Sequence, residues 1–129
     1  MGREGCRSKK SYSIGKETKC DGLFELLRIP LKPDSVNYIN FNVMGVDKKN
    51  LFSSTFIIEG VWKKMGDCHI IAISEPRTLT FIENITLNVA IKTCDKYLTV
   101  IVNSTLPRKI MWSVSAKLSC IYMAKGTSW

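Results

Sequence analysis

Two stretches of this chain alternate apolar and polar residues with a period of two. From Ile85 to Lys92, the apolar Ile85, Leu87, Val89 and Ile91 are separated by Thr86, Asn88 and Ala90. From Ile110 to Cys120 the apolar positions are Ile110, Trp112, Val114, Ala116, Leu118 and Cys120, with Ser113, Ser115, Lys117 and Ser119 between them. Successive side chains of a strand point to opposite faces, so each stretch has one oily and one wet face. Such strands build antiparallel sheets that pack on one side.

Further strands follow from the same reasoning. Val36 to Val46 places Ile39, Phe41 and Val43 on one face, with Asn40 and Asn42 on the other. Gly45 to Asn50 reads as a polar turn. Phe52 to Lys63 is rich in β-branched and aromatic residues, and a short turn at Lys63 to Asp67 returns Cys68 to Ser74 as its hairpin partner. Thr78 to Ile82 is a short strand, and Leu98, Val100 and Val102 point inward from Tyr97 to Asn103. Asp21 to Ile29 mixes periods and reads as either a short helix or an apolar strand, ended by Pro30 and Pro33.

The expected fold is an all-β antiparallel sandwich, jelly-roll-like, of about seven to eight strands. At 129 residues it is one domain. Residues 1–20 form a basic N-terminal arm, 21–123 the sandwich and 124–129 a C-terminal tail. Trp62 and Trp112 share the phase of core residues, and Cys120 reads as a buried small hydrophobe.

The net charge is +8, and half of it lies in the arm: Arg3, Arg7, Lys9, Lys10, Lys16 and Lys19 against Glu4 and Glu17. Such an arm can touch nucleic acid, an acidic membrane surface or an acidic partner. Only Tyr12 interleaves with these charges, so nucleic acid is not favoured. Arg3, Arg7, Lys9 and Lys10 are therefore candidate assembly contacts. Trp129 joins them, because Trp is enriched at interfaces. The charges at strand ends, Lys63, Lys64, Arg108, Lys109 and Lys117, read as solubilising.

No catalytic constellation is visible. His69 is the single histidine, and its neighbour Cys68 would point to the opposite face of a strand. Glu59, Glu75 and Glu83 carry no bracketing that would make a carboxylate pair. The five cysteines contain no CxxC spacing, so neither a zinc site nor a disulfide framework is expected, although a Cys94–Cys120 bridge stays open. No enzyme activity, cofactor, metal or membrane span is expected. The first residues lack the apolar stretch of a secretory signal; with Met1 as the initiator, synthesis in the cytosol is expected. The alternative is a secreted carbohydrate- or lipid-binding module, in which the acceptor patterns at Asn84 and Asn103 would carry glycans.

The order of strands resembles the small β-sandwich head or tip domains of viral fibres and capsid-associated proteins. The resemblance rests on Ile39-x-Phe41-x-Val43, Phe56-x-Ile58-Glu59-Gly60-Val61-Trp62, Ile85-x-Leu87-x-Val89-x-Ile91, Leu98-x-Val100-x-Val102 and Ile110-Met111-Trp112-Ser113-Val114-Ser115-Ala116-Lys117. It implies a non-enzymatic virion component, a minor capsid or fibre-tip subunit assembled in the host cytoplasm. Its partners would be further copies of itself or other capsid and fibre proteins, with the arm threaded between neighbours. It also implies that the final, Trp-bearing strand pairs with the strand before it.

Overall fold

The computed structural model describes residues 5–67, 69–83, 87–104 and 107–123. Arg3, Cys68, Asn84, Ile85 and Trp129, with the tail 124–129, lie outside the described residues. Those described form nine strands and no helix: β1 (Gly5–Thr18), β2 (Gly22–Pro30), β3 (Ser35–Asp47), β4 (Ser53–Met65), β5 (His69–Ala72), β6 (Arg77–Ile82), β7 (Leu87–Thr93), β8 (Tyr97–Ser104) and β9 (Ile110–Met123).

They make two antiparallel sheets. The larger has six strands in the order β1-β9-β3-β4-β5, with β6 also paired to β4. The smaller runs β2-β8-β7. The first strand thus nests against the last and the second against the eighth, in sheets of six and three strands. β5 covers Trp62 to Met65, and β6 covers Ser54 to Glu59. The two short strands therefore share one edge, on the side of β4 away from β3.

The predicted alternation holds in β3, β8 and β9. The even positions from Ile110 to Cys120 are buried, as are Ile39, Phe41, Val43, Leu98, Val100 and Val102. Both sheets contribute to one apolar cluster, in which the Phe41 and Trp62 rings meet edge to face at 5.8 Å. Trp62, Trp112 and Cys120 all belong to it.

Four readings change. Residues 5–18, expected as part of the basic arm, form β1, paired along its whole length with β9. Its inward positions are mostly polar or exposed, so it carries no apolar period; backbone hydrogen bonding to β9 defines it. Gly45 does not begin a turn, and β3 runs on to Asp47. A Cβ at Gly45 would lie 2.7 Å from both Leu87 Cδ1 and Trp112 Cζ3, so glycine is what lets the indole cross the strand. β9 pairs with β1 and β3, not with the preceding β8, which lies in the other sheet. Cys94 and Cys120 are both free, the first exposed and the second buried.

The ambiguity over residues 21–29 is settled as a strand with a β-bulge. Register shifts between Glu25 and Leu27, which turns the neighbouring Leu26 and Leu27 toward the core together. Neither simple period fits such a segment.

Candidate interaction surface

The outer face of the larger sheet is the side that, among the described residues, no second sheet covers. One row across it reads Arg7, Ile121, Val36, Lys63, Ile71 from β1 to β5. The next reads Lys9, Ser119, Tyr38, Val61, and Ile73 continues it through a 2.9 Å bond from its N–H to the Val61 carbonyl. Val36, Tyr38, Ile71, Ile73 and Ile121 are all exposed. Val36, Tyr38 and Ile121 surround, with Val61, a depression of about 330 Å³ whose walls are almost wholly apolar, and Ile71 and Ile73 extend the two rows beyond it. Arg7 and Lys9 stand at its rim.

A polar row bounds this patch. Ser11, Lys117, Asn40, Glu59 and Arg77 follow one another across the strands. Tyr38 donates its phenol hydrogen to Glu59 Oε2 at 2.7 Å, and Arg77 lies 3.6 Å from the other oxygen. That hydrogen bond is the main reason the Tyr38 phenol is held above its ordinary range. Tyr38 thus presents its ring to the patch with its polar tip already satisfied.

The end of the sandwich beneath the patch is polar inside. Lys64 is buried and donates to the Leu31 carbonyl at 3.1 Å. Asn37 donates to Ser35 Oγ at 2.9 Å and to the Trp62 carbonyl at 3.3 Å. The opposite end of the molecule holds a wide basic concavity of about 550 Å³ formed by Lys48, Lys49, Arg108 and Lys109 around Asp47. The fully buried Asp47 accepts from Arg108 Nη1 at 2.8 Å and from the Lys49 N–H at 2.9 Å.

The expected contact residues are divided by the pleat. Arg7 and Lys9 face outward beside the patch, whereas Lys10 takes the alternate phase and borders a small gap near Lys32 and Asn37. Asn103 sits half-buried in the middle strand of the smaller sheet, between Leu23 and Asn88. The five strand-end cations do not share a face: Lys64 turns inward, Arg108 pairs with Asp47, and Lys63 and Lys117 face outward in different rows. His69 is exposed at the start of β5, opposite Met65. Glu59 and Glu83 lie near opposite ends of the β4–β6 ladder, so they form no pair. Among the described residues, no three of His, Cys, Asp and Glu gather as a metal site.

The patch residues were the ones sequence reasoning passed over. Their signal was present as apolar side chains on the wet phase: Val36 and Tyr38 in β3 and Ile121 in β9.

No protein-family model matches the chain, and no curated protein matches it. Among solved structures, a chain of the Acinetobacter baumannii phage AM24 tailspike protein aligns at a TM-score of 0.44 and 13% identity. The alignment covers 93% of this chain and 27% of that one, so the chain spans about a quarter of the tailspike chain's length.

Proposed function

We propose that this protein is a structural subunit that acts through assembly contacts, as a virion component of the minor capsid or fibre-tip kind. The observation that carries the assembly reading is the apolar patch around Val36, Tyr38, Val61 and Ile121, rimmed by Arg7 and Lys9. Exposed apolar residues gathered in one place mark interaction surfaces, whereas scattered ones do not. The buried phases of the strands are occupied in holding the two sheets together, which leaves the outer face to carry what is specific to the molecule. An aromatic residue at the centre and cations at the rim match the usual anatomy of a protein interface. The virion assignment draws on the strand-pattern resemblance set out under the sequence.

Mass spectrometry of particles purified from the virus that encodes the chain tests this reading. The protein should be present at a fixed ratio to the major structural proteins. Ile121→Lys, placed on the exposed side of β9, should leave the fold intact and exclude the protein from particles. Absence of the wild-type chain from the particles would overturn the assignment.

A further inference from the structure

We propose that β6 is a self-association edge, through which two copies of this chain pair antiparallel about a two-fold axis at Thr80 and merge their larger sheets into one. The proposal deepens the assembly reading by naming a partner and a register. Particle content tests that reading, and mass in solution tests this one.

The first observation is exposure. Every residue of β6 is exposed, and Leu79, Phe81 and Ile82 retain 54%, 55% and 56% of their accessible surface. β4 pairs with one side of β6, and no other described strand pairs with it. The run Thr78-Leu79-Thr80-Phe81-Ile82 has high strand propensity and contains neither Lys nor Pro. Proteins normally blunt such edges with charge. The far edge of the same sheet is blunted in this way, since β1 carries Arg7, Lys9, Lys10 and Lys16.

The second observation is the direction of the backbone groups. Glu83 donates its N–H to the Ser53 carbonyl at 2.9 Å, continuing the register in which Ile82 opposes Ser54. Residues two apart on a strand direct their N–H and C=O to the same side. Phe81, Leu79 and Arg77 therefore bond toward β4, and Thr78, Thr80 and Ile82 direct theirs to the open edge.

The third observation is that the sequence of this edge is self-complementary in the register those groups require. Antiparallel pairing centred on Thr80 sets Thr80 against its own mate and Thr78 against Ile82. Each of these pairs exchanges two hydrogen bonds, so no outward group is left over. Between them Leu79 meets Phe81 at the closer, non-hydrogen-bonded spacing, where side chains interact best. At both ends Arg77 meets Glu83, opposite charges on the same face. Arg77 is free to do so, because its side chain is 88% exposed and only 3.6 Å from Glu59 in a loose ion pair. This symmetry of charge and shape selects a second copy over an unrelated strand, and it is the isologous arrangement of a two-fold dimer.

A six-residue edge covers less than the ~1,000 Å² expected of a stable interface, so dissociation in the micromolar range or weaker is expected for the isolated chain. Sedimentation equilibrium up to ~1 mM measures it, a concentration at which even a ~1 mM dissociation constant gives substantial dimer. Arg77→Glu and Glu83→Arg should each weaken the dimer about tenfold or more, and the double reversal should restore it. Thr80→Pro removes an N–H that faces the open edge and spares the bonds to β4, so it should give a folded monomer. With Cys20 and Cys94 changed to serine, Thr80→Cys should cross-link to its own mate under oxidation. Thr78→Cys should not, unless mixed with Ile82→Cys. A wild-type chain that stays monomeric at ~1 mM would overturn the proposal and leave the edge to a foreign strand. So would a dimer indifferent to both single charge reversals, or one in which Thr78→Cys cross-links to itself.

Discussion

The indole N–H of Trp112 donates to the hydroxyl of Thr18 at 3.0 Å, in the interior, across 94 positions of sequence. The bond locks the last turn of β1's pairing with β9, where Thr18 opposes Ile110. The same indole lies over Gly45 and reaches toward Leu87 of the second sheet. One side chain therefore holds the edge strand, crosses β3 and joins the core cluster that both sheets share.

Thr18→Val keeps the shape of the side chain and removes the acceptor. It leaves a buried indole N–H without a partner, which costs about 1–3 kcal/mol. Thr18→Ser should retain most of the stability. Chemical denaturation followed by tryptophan fluorescence compares the two; equal midpoints for Val and wild type would show that the bond contributes nothing.

Gly45→Ala puts a methyl where Leu87 and Trp112 atoms already stand at 2.7 Å. Overpacking of this kind costs about 1–3 kcal/mol. Leu87→Ala in the same chain should recover part of that loss, because the two sites share the space. A double-mutant cycle from urea midpoints reads the coupling, and strict additivity would refute the overlap.

Asp47 is fully buried, and its carboxyl is held below the ordinary value of 3.8 by the Lys49 N–H first and the Arg108 guanidinium second. A depressed folded-state pKa stabilises the fold when the group is ionised. The contribution is present above the unfolded value of about 3.9 and is lost as pH falls through the folded value. Asp47→Asn should therefore lower the thermal midpoint by several degrees at neutral pH, and the gap to wild type should close as pH drops below about 4. A gap that stays constant from neutral to acid would contradict this.

Cysteine labelling should follow burial. Cys20 and Cys94 are exposed, Cys6 is half-buried, and burial raises the Cys120 thiol above its usual range. Since the thiolate is the reactive form, Cys120 should be alkylated last and only under denaturing conditions. Peptide mapping after timed alkylation gives the order; early modification of Cys120 would mean that the β1 side of the sandwich opens.

Several parts of this fold were legible in the residues themselves. The alternation in β3, β8 and β9 named their buried faces because a half-buried strand must separate oil from water at every second residue. The inward placement of Trp62 and Trp112 followed from the same rule; the hairpin after β4 was legible from its turn residues, but β4 runs on to Met65 and the turn begins only at Gly66. β1 was not legible, since an edge strand with polar inward positions has no apolar period to show. β2 was not legible either, because its bulge shifts the phase between Leu26 and Leu27.

The apolar residues on the wet phase, Val36, Tyr38 and Ile121, were visible one at a time. That they adjoin one another depends on β1, β9, β3 and β4 lying side by side, which is a matter of long-range register. The amino-acid sequence by itself determined the all-β class and the core faces of β3, β8 and β9, because side-chain polarity at period two is a local property. Only the tertiary structure decided that the basic segment is an edge strand, that one face gathers an apolar patch and that, among the described strands, β6 pairs with β4 alone. Hydrogen bonding between strands far apart in sequence leaves no periodic trace in any one of them.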